Sequence, residues 1–329
     1  MKKMIIILAV NAAAGVLSSC GNKAKEPAAM FAGPVREAAS AGYRWTEHTP
    51  NAAFPKSYNF QLFSVQDTLW AFHPLGNWYS RDGKEWIKSA LPNSIDNLAF
   101  LDYVQFNNSI LGLGYFKGNI EHFQFRPTIY QTTDMVNWKI LADESNLPHR
   151  FFYHPFVFLG KIWIIGGTDG NRSFADVWNS PDGVHWTKQA DNLPFGERNG
   201  SQFVVLNSRV YMINNDVWSS ADGLNWVQEA KELVSGENIH GYTAAAFDGR
   251  IWLLGCNRNA KFKSEILFSE DGKKWSSLAA PWSPRGGIAA CVYNDRLFIT
   301  GGKYGGPGID GQTEFIYSND VWSMRKTEH

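Results

Sequence analysis

The chain has 329 residues, with 31 basic and 31 acidic side chains, 14 tryptophans and 30 glycines. A formal net charge of zero, with no cluster of basic residues, argues against nucleic acid as a partner. No long stretch has the apolar period of a helix, so the aromatic and glycine content predicts an all-β protein.

The N-terminus carries the pattern of an export signal. Two lysines precede an apolar run over residues 4–16, and small residues then lead to Cys20. The run is shorter than the roughly 20 residues that span a bilayer, which favours a cleaved signal over a transmembrane helix. We therefore expect residues 1–20 to be a lipoprotein signal peptide ending at a lipidated Cys20, and residues 21–42 to be a flexible tether. This predicts an exported bacterial lipoprotein of the outer membrane, periplasmic or surface-facing, that meets the membrane only through its anchor.

A seven-residue phrase, Ser-x-Asp-Gly-x-x-Trp, recurs along the rest of the chain. Its copies begin at Ser80, Ser180, Ser220 and Ser269, with a degenerate copy at Thr132. The Asp-Gly step favours a tight hairpin with positive φ, and the tryptophan then starts the next strand. From Trp45 onwards, these tryptophans are separated by 41, 52, 48, 40 and 49 residues. Such a period is near the about 40 to 50 residues of a propeller blade.

Further apolar runs predict that each repeat contains four strands. Two paired runs precede each phrase, as in residues 156–158 and 162–165, and short polar turns such as residues 248–250 and 294–296 join other pairs. A longer loop then leads to a third strand, which reads Asp-Val-Trp in the repeats with Trp178, Trp218 and Trp322.

The ends of the chain predict how the repeat closes. Trp178 and Trp218 each lie 8 residues before the tryptophan of the next strand, so the partner of Trp322 would fall at position 330. The sequence stops at His329, whereas residues 43–46 form an outer-strand fragment with no blade before it. We expect this N-terminal strand to complete the last blade, giving a six-bladed β-propeller of four-stranded blades over residues 43–325.

These motifs resemble those of a known family. The pairs Gly166-Gly167 and Gly301-Gly302, the Asp-Val-Trp strands and the tryptophan at a fixed offset resemble Kelch repeats over residues 43–324. The resemblance includes the propeller of galactose oxidase and the exported Kelch epimerases of N-acetylneuraminate. The former implies copper held by Tyr and His from neighbouring blades, but no such set can be identified in this sequence. The Asp-Gly turns also resemble the Asp-box of sialidases, although Asp and Gly are adjacent here, so we interpret them as structural.

In such a fold, one face carries the starts of the inner strands and the loops between second and third strands, and this face usually binds ligands. Alignment of the repeats places a group of mostly basic candidates there: Lys56, Arg150, Arg198, Arg285, His240 and the acidic Glu197. Such a ring would attract a carboxylate or phosphate. Alternatively, each arginine ties one blade to the next through hydrogen bonds to backbone carbonyls, since Arg has five donors.

The long loops of this face supply further ligand candidates, because loops often carry function. The polar candidates are His122, Arg126, Arg172, Arg258 and Tyr304, and the aromatic ones include Trp78, Tyr115 and Phe116. The connection at Asn214-Asn215 is very short, so we expect the face to be open on that side.

Several chemistries lack their sequence signatures. The eight histidines show no metal-ligand spacing and the cysteines form no Cys-x-x-Cys pair, so we expect neither a metal nor another cofactor. No Gly-x-Ser-x-Gly elbow or phosphate-binding loop is present. Cys256 and Cys291 lie on inner strands of adjacent repeats, where a disulfide is open to them in an exported protein, but we favour buried free thiols because packing explains them.

Three functions fit these observations. The first is an anchored module that binds a glycan or another small anionic ligand on the loop face. The second, implied by the resemblance to the epimerases, is an isomerase of sialic acid in which the three arginines hold the substrate carboxylate and Glu197 moves a proton. The third is a scaffold for another protein of the cell envelope. Sequence alone favours the first and does not decide whether the protein is an enzyme.

Overall fold

The computed structural model describes residues 37–40, 42–58, 60–73, 75–89, 102–118, 123–307 and 313–327. Regular structure in these ranges is entirely β, as the composition predicts, and none of the described residues forms a helix that could cross a membrane. The expected signal peptide with Cys20, most of the expected tether, and His122 lie outside the described residues.

The strands form antiparallel sheets that follow one another along the chain, after β1 (Glu37–Ser40) and β2 (Tyr43–Thr49). Sheet 1 contains β3 (Gln61–Val65), β4 (Thr68–His73), β5 (Gly76–Ser80) and β6 (Ile87–Lys88). Sheet 2 contains β7 (Asp102–Phe106), β8 (Ser109–Gly118), β9 (Phe123–Thr132) and β10 (Lys139–Ala142). Sheet 3 contains β11 (Phe156–Phe158), β12 (Lys161–Ile165), β13 (Val177–Ser180) and β14 (Thr187–Ala190).

The second half of the chain continues this pattern with added loop strands. Sheet 4 contains β15 (Gln202–Leu206), β16 (Arg209–Ile213), β17 (Val217–Ser220) and β18 (Trp226–Ala230). After β19 (Ile239–His240), sheet 5 contains β20 (Thr243–Phe247), β21 (Arg250–Leu254), β24 (Glu265–Ser269) and β25 (Ser276–Ala279). The strands β22 (Cys256–Arg258) and β23 (Lys261–Lys263) pair with β19 instead. Sheet 6 contains β26 (Ala289–Tyr293), β27 (Arg296–Thr300) and β30 (Val321–Lys326), and β28 (Lys303–Pro307) forms a separate ribbon with β29 (Thr313–Tyr317).

The first strands of the chain belong to sheet 6. β2 pairs with β30, so that Trp45 lies opposite Met324 and Glu47 opposite Trp322. β1 then pairs with the free edge of β2 and makes this sheet five-stranded. Residues 37–40, which the sequence analysis places in the tether, are thus a strand, because β2 still offers an unpaired edge after it joins β30.

The recurring phrase forms the turn before the outer strand. In its second copy, the hydroxyl of Ser180 accepts the Gly183 N–H at 2.8 Å, and a carboxylate oxygen of Asp182 accepts the N–H groups of residues 184 and 185. The Trp186 indole donates back to the Gly183 carbonyl at 3.0 Å. Gly183 has φ of +82°, which explains why glycine stands there. The interpretation of the Asp-Gly phrase as a structural turn is confirmed.

Apolar residues fill the space between neighbouring sheets. One cluster of buried side chains joins sheets 1 and 2, and further clusters join sheets 2 and 3, 3 and 4, 4 and 5, and 5 and 6. Another cluster joins sheet 6 to sheet 1 through Phe298, Leu69 and Trp78. The described residues thus form a propeller-like arrangement of four-stranded antiparallel sheets packed face to face.

Candidate functional site

The connections expected on one face do meet there. The segment that enters the inner strand of sheet 3 bonds to the second-to-third connection through Phe151 and Thr168, whose backbones exchange two bonds of 2.9 Å. Neighbouring sheets are joined in the same way, since Phe174 of sheet 3 pairs with Arg198 of sheet 4. These bonds hold the entry segments and the connections together, and we call their common surface the loop face.

The three aligned arginines of this face are engaged in ion pairs within their own sheets. Arg150 donates two bonds to the Asp176 carboxylate, at 2.6 and 2.9 Å, and one to the Gly166 carbonyl at 2.8 Å. Arg285 binds Asp320 and the Gly301 carbonyl in the same way. The aspartate of the Asp-Val-Trp motif directly precedes the strand, and the tryptophan of that motif donates its indole N–H to the same carboxylate.

This arrangement leaves little for a ligand. The side chains of Arg150 and Arg285 are 3% and 0% exposed. Burial opposes ionisation of Asp176, but the bonds from Arg150 and Trp178 outweigh it and hold the pKa of that carboxyl below its usual value. The geometry therefore favours the structural alternative for these two arginines, because their terminal nitrogens are already bonded inside the sheet.

Arg198 differs because it borders open space. Its guanidinium binds Asp216 at 2.7 Å and the Phe195 carbonyl, and 18% of its side chain remains exposed. Its backbone carbonyl accepts the Gly167 N–H of sheet 3 at 2.9 Å. A Cβ added to Gly166 would lie 2.6 Å from the same oxygen, so a glycine is required for this approach. The backbone of residue 198 thus links sheets 3 and 4, whereas its guanidinium bonds to Asp216 and Phe195 and donates to no carbonyl of sheet 3 among the hydrogen bonds of the described residues.

The remaining loop candidates differ in their exposure and in their partners. Arg258 is only 11% exposed and is bonded to Glu237 and Glu265, whereas Arg172 is 71% exposed beside Asp169. Trp78 is 4% exposed inside the cluster between sheets 6 and 1, so it offers no face for a sugar. Exposed or half-buried positions are occupied by Lys56, Arg126, His240 and Tyr304. The structure brings none of these four into the depression described next.

Glu197 and Arg198 lie together at an open depression of about 380 Å³ in sheet 4. The other lining residues are Asn214, Asn215, Asp216 and Lys231. The connection from β16 to β17 is only three residues long here, and the depression lies where the sequence predicts an open side. Lys231 was missed, since it follows an outer strand and no repeat motif marks that position.

Bonds to backbone and side chains fix most of this lining. The Asn215 side-chain oxygen accepts the Ile239 N–H at 2.7 Å, and the Asn214 carbonyl accepts the Tyr242 hydroxyl at 2.6 Å. Glu197 and Lys231 are exposed. Two acids and two bases line the depression, so its formal charge is balanced rather than positive. It therefore presents a rigid polar floor with one exposed carboxylate and one exposed ammonium.

A second group of titratable residues was not found by sequence reasoning. Asp102 begins the inner strand of sheet 2, and burial raises the pKa of its carboxyl to about 7, although a bond with Tyr153 opposes the shift. Burial lowers the pKa of His154, which follows Tyr153 in the chain, to about 4. A carboxyl that titrates near neutral pH is suited to proton transfer, and no motif in the sequence announces it.

The structure also bears on the cysteines and on metal binding. Cys256 and Cys291 are free thiols, and burial raises their pKa values to about 11 and about 12. Of the two alternatives for these cysteines, the structure contains the buried thiols. Among the described residues, no group of three or more His, Cys, Asp or Glu side chains could hold a metal ion.

Comparison with known proteins adds three similarities. The model of a family described as "DUF6242 beta propeller domain" matches residues 132–296. The "Kelch repeat protein M-T8" of Myxoma virus (strain Lausanne) is 29% identical over 82 residues, which are 24% of this chain and 15% of the viral protein. The matched part is thus well under two thirds of that relative's own length. The solved structure titled "Structure of YjhT" has a TM-score of 0.64 at 14% identity, covering 83% of this chain and 96% of that one, and this likeness concerns the fold alone.

Proposed function

This chain belongs to the family described as the DUF6242 β-propeller domain and is a Kelch-type β-propeller, and we propose that it binds a small neutral carbohydrate at the sheet 4 depression. The supporting observation is the open polar depression itself, of about 380 Å³, with Glu197 and Lys231 exposed at it. Its lining offers both hydrogen-bond donors and acceptors, which is what a polyhydroxylated molecule needs.

The balance of charge favours a neutral ligand over an acidic one. A carboxylate ligand would meet Lys231, but also Glu197, which repels it, while Arg198 and Asp216 are paired with each other. Arg150 and Arg285, which the sequence suggested for an anion, are bonded to Asp176 and Asp320 instead. Sugar hydroxyls can donate to Glu197 and accept from Lys231 without leaving a charge unpaired.

Sugar binding can be measured by calorimetric titration of the soluble domain with neutral and acidic oligosaccharides. We expect a neutral ligand to bind, and Glu197→Gln or Lys231→Met to weaken it by about tenfold, since each removes a bond to a charged group. Glu144→Gln is a matched control, because Glu144 is exposed in the equivalent segment after the outer strand of sheet 2. Absence of binding at about 10 mM ligand, or equal affinity in all variants, would contradict the proposal.

Asp102, which lies in sheet 2 outside this depression and is bonded to Tyr153, motivates a second candidate, an isomerase that interconverts sugar anomers by proton transfer at a separate position in sheet 2. Its raised pKa of about 7 lets one carboxyl both accept and donate a proton near neutral pH. Proton NMR of the same sugar titrations would report anomer exchange. The isomerase requires exchange that is faster with the native protein than with Asp102→Asn, whereas equal rates would leave only binding.

We further infer that the six sheets form a closed six-bladed ring tethered through a lipidated Cys20 to the outer membrane. Closure is supported by the pairing of β2 with β30 and by the apolar cluster shared by sheets 6 and 1. Anchoring rests on the signal pattern before Cys20. Incorporation of labelled palmitate into the native protein but not into Cys20→Ser is the expected result.

A further inference from the structure

A half-buried lysine lies at the junction of sheets 6 and 1, and it shares no residue with the depression in sheet 4. Lys303 is the first residue of β28, and its backbone exchanges two bonds of 2.9 Å with Gly286. Ser57 of the segment that enters sheet 1 pairs with Ser318, just after β29. These backbone bonds bring Tyr58 beside the ribbon of β28 and β29.

Aromatic rings surround the lysine on two sides. Nζ of Lys303 lies 4.0 Å from the centre of the Tyr58 ring and 4.5 Å from that of Phe315. Tyr58 in turn stacks on Tyr317, with ring centres 5.6 Å apart and planes inclined by 28°. The ammonium is therefore held between ring faces. Such faces attract a cation, but they do not replace the oxygen atoms that would accept its hydrogen bonds.

The positive charge of Lys303 has no acid to balance it in the described part of the chain. Among the described residues, the ammonium contacts the rings of Tyr58 and Phe315, and no oxygen atom accepts a hydrogen bond from Nζ. Burial alone lowers the pKa of this ammonium below its ordinary value. Partial burial removes some of the water that would accept bonds from its three N–H donors, and an anion placed beside it would replace those bonds.

We propose that Lys303, Tyr58, Phe315 and Tyr317 form a second binding site, which takes an oxyanion attached to an apolar or planar group. The ammonium would bind the carboxylate or phosphate oxygens, and the ring faces would pack against the apolar part. Neither half of the site suffices alone, because the rings cannot bind an anion and one exposed lysine binds it weakly. This site is independent of the carbohydrate proposed for sheet 4.

Benzoate is a suitable probe, because it joins a carboxylate to a flat ring, and benzyl alcohol has the ring without the charge. Calorimetry should show that benzoate binds native protein at least about tenfold more tightly than benzyl alcohol or inorganic phosphate. Lys303→Met should weaken benzoate binding by at least about tenfold, and Tyr58→Leu should also weaken it. Lys261→Met is the matched control, since Lys261 is an exposed lysine of the other loop ribbon, and it should bind benzoate like the native protein.

A second measurement needs no destabilising variant. Reductive methylation with carbon-13 gives each lysine an NMR signal, and Lys303→Arg identifies the signal of Lys303 by its loss. Benzoate should raise the pKa of that lysine, because an adjacent anion favours the charged form. The proposal is overturned if benzoate leaves the Lys303 titration unchanged, binds Lys303→Met as tightly as native protein, or binds no better than benzyl alcohol.

Discussion

Three arginines occupy one position of the repeat, and their partners decide what they do. Each donates to the aspartate of an Asp-Val-Trp strand, at positions 176, 216 and 320, and the tryptophan two residues later binds the same carboxylate. Arg150 and Arg285 are buried in this network, so removing one would strand a carboxylate in a low-dielectric interior. At the residue scale, Arg150 and Arg285 are thus engaged within the fold, and the cations that we propose for ligands, Lys231 and Lys303, lie outside this network.

Replacement of Arg285 tests this role. We expect Arg285→Met to lower the free energy of unfolding by about 3–5 kcal/mol, because Asp320 would lose its buried partner. Arg172→Met, at a side chain that is 71% exposed, should change it by less than about 0.5 kcal/mol. Urea denaturation followed by tryptophan fluorescence measures both. Equal losses of unfolding free energy in the two variants would mean that the buried pair of Arg285 and Asp320 contributes no more to stability than the exposed pair of Arg172 and Asp169.

At the scale of single elements, β2 is the strand that connects the two ends of the folded chain. His48 of this strand bonds to the Ser323 hydroxyl of β30 at 2.8 Å and stacks on the ring of Phe298, with centres 4.9 Å apart. Burial, assisted by Arg296 and Lys84, lowers the pKa of His48 to about 4 from its ordinary value of 6.5. The imidazole is thus kept neutral in the folded protein.

A pH dependence follows from this shift. Above pH 6.5 His48 is neutral in both states and adds no pH dependence, but between about 6.5 and 4 the unfolded chain binds a proton that the folded one excludes. Stability should therefore fall as the pH falls through this window. His48→Gln should reduce the slope of unfolding free energy against pH by up to about 1.4 kcal/mol per unit there. Urea titrations at several pH values would show this, and parallel slopes for both proteins would contradict the assignment.

At the scale of the whole molecule, the arrangement depends on the contact between its first and last strands. Trp45 of β2 is fully buried and packs edge-on against Trp282, with ring centres 4.7 Å apart. β2 also covers the edge of β30, which would otherwise present unpaired backbone groups to solvent. The closed ring that we infer above should therefore make the unfolding of all sheets cooperative.

Truncation tests this expectation. A chain beginning at residue 50 lacks β2 and should lose cooperative thermal unfolding and near-ultraviolet circular dichroism, since burial of a tryptophan alone contributes about 3–5 kcal/mol. A chain beginning at residue 42 lacks only the edge strand β1 and should keep both signals. Cooperative unfolding of the shorter chain would show that β2 is dispensable and that the sheets are stable without closure.

Much of the fold could be predicted because its signals are local. The Ser-x-Asp-Gly-x-x-Trp turn is bonded within seven residues, so Asp182, Gly183 and Trp186 announce it wherever they recur. The inner hairpin turns are equally local, and Asp248-Gly249 and Asn294-Asp295 have the positive φ values that the sequence suggests. The site could be predicted only in part. Glu197, Arg198 and the short connection at Asn214 were found, but Lys231, Asp102 and Lys303 carry no motif.

The sequence by itself determined the class of fold and the size of the repeat, because turns and strand patterns depend on neighbours along the chain. Only the tertiary structure decided which charged groups are already paired inside the protein and which are not. Arg285 meets Asp320 across 35 positions, and Lys303 meets Tyr58 across a gap in sequence that no local pattern can report. Burial and charge pairing are properties of the packed molecule, so the same residue type becomes a structural ion pair at one position and an unbalanced cation at another.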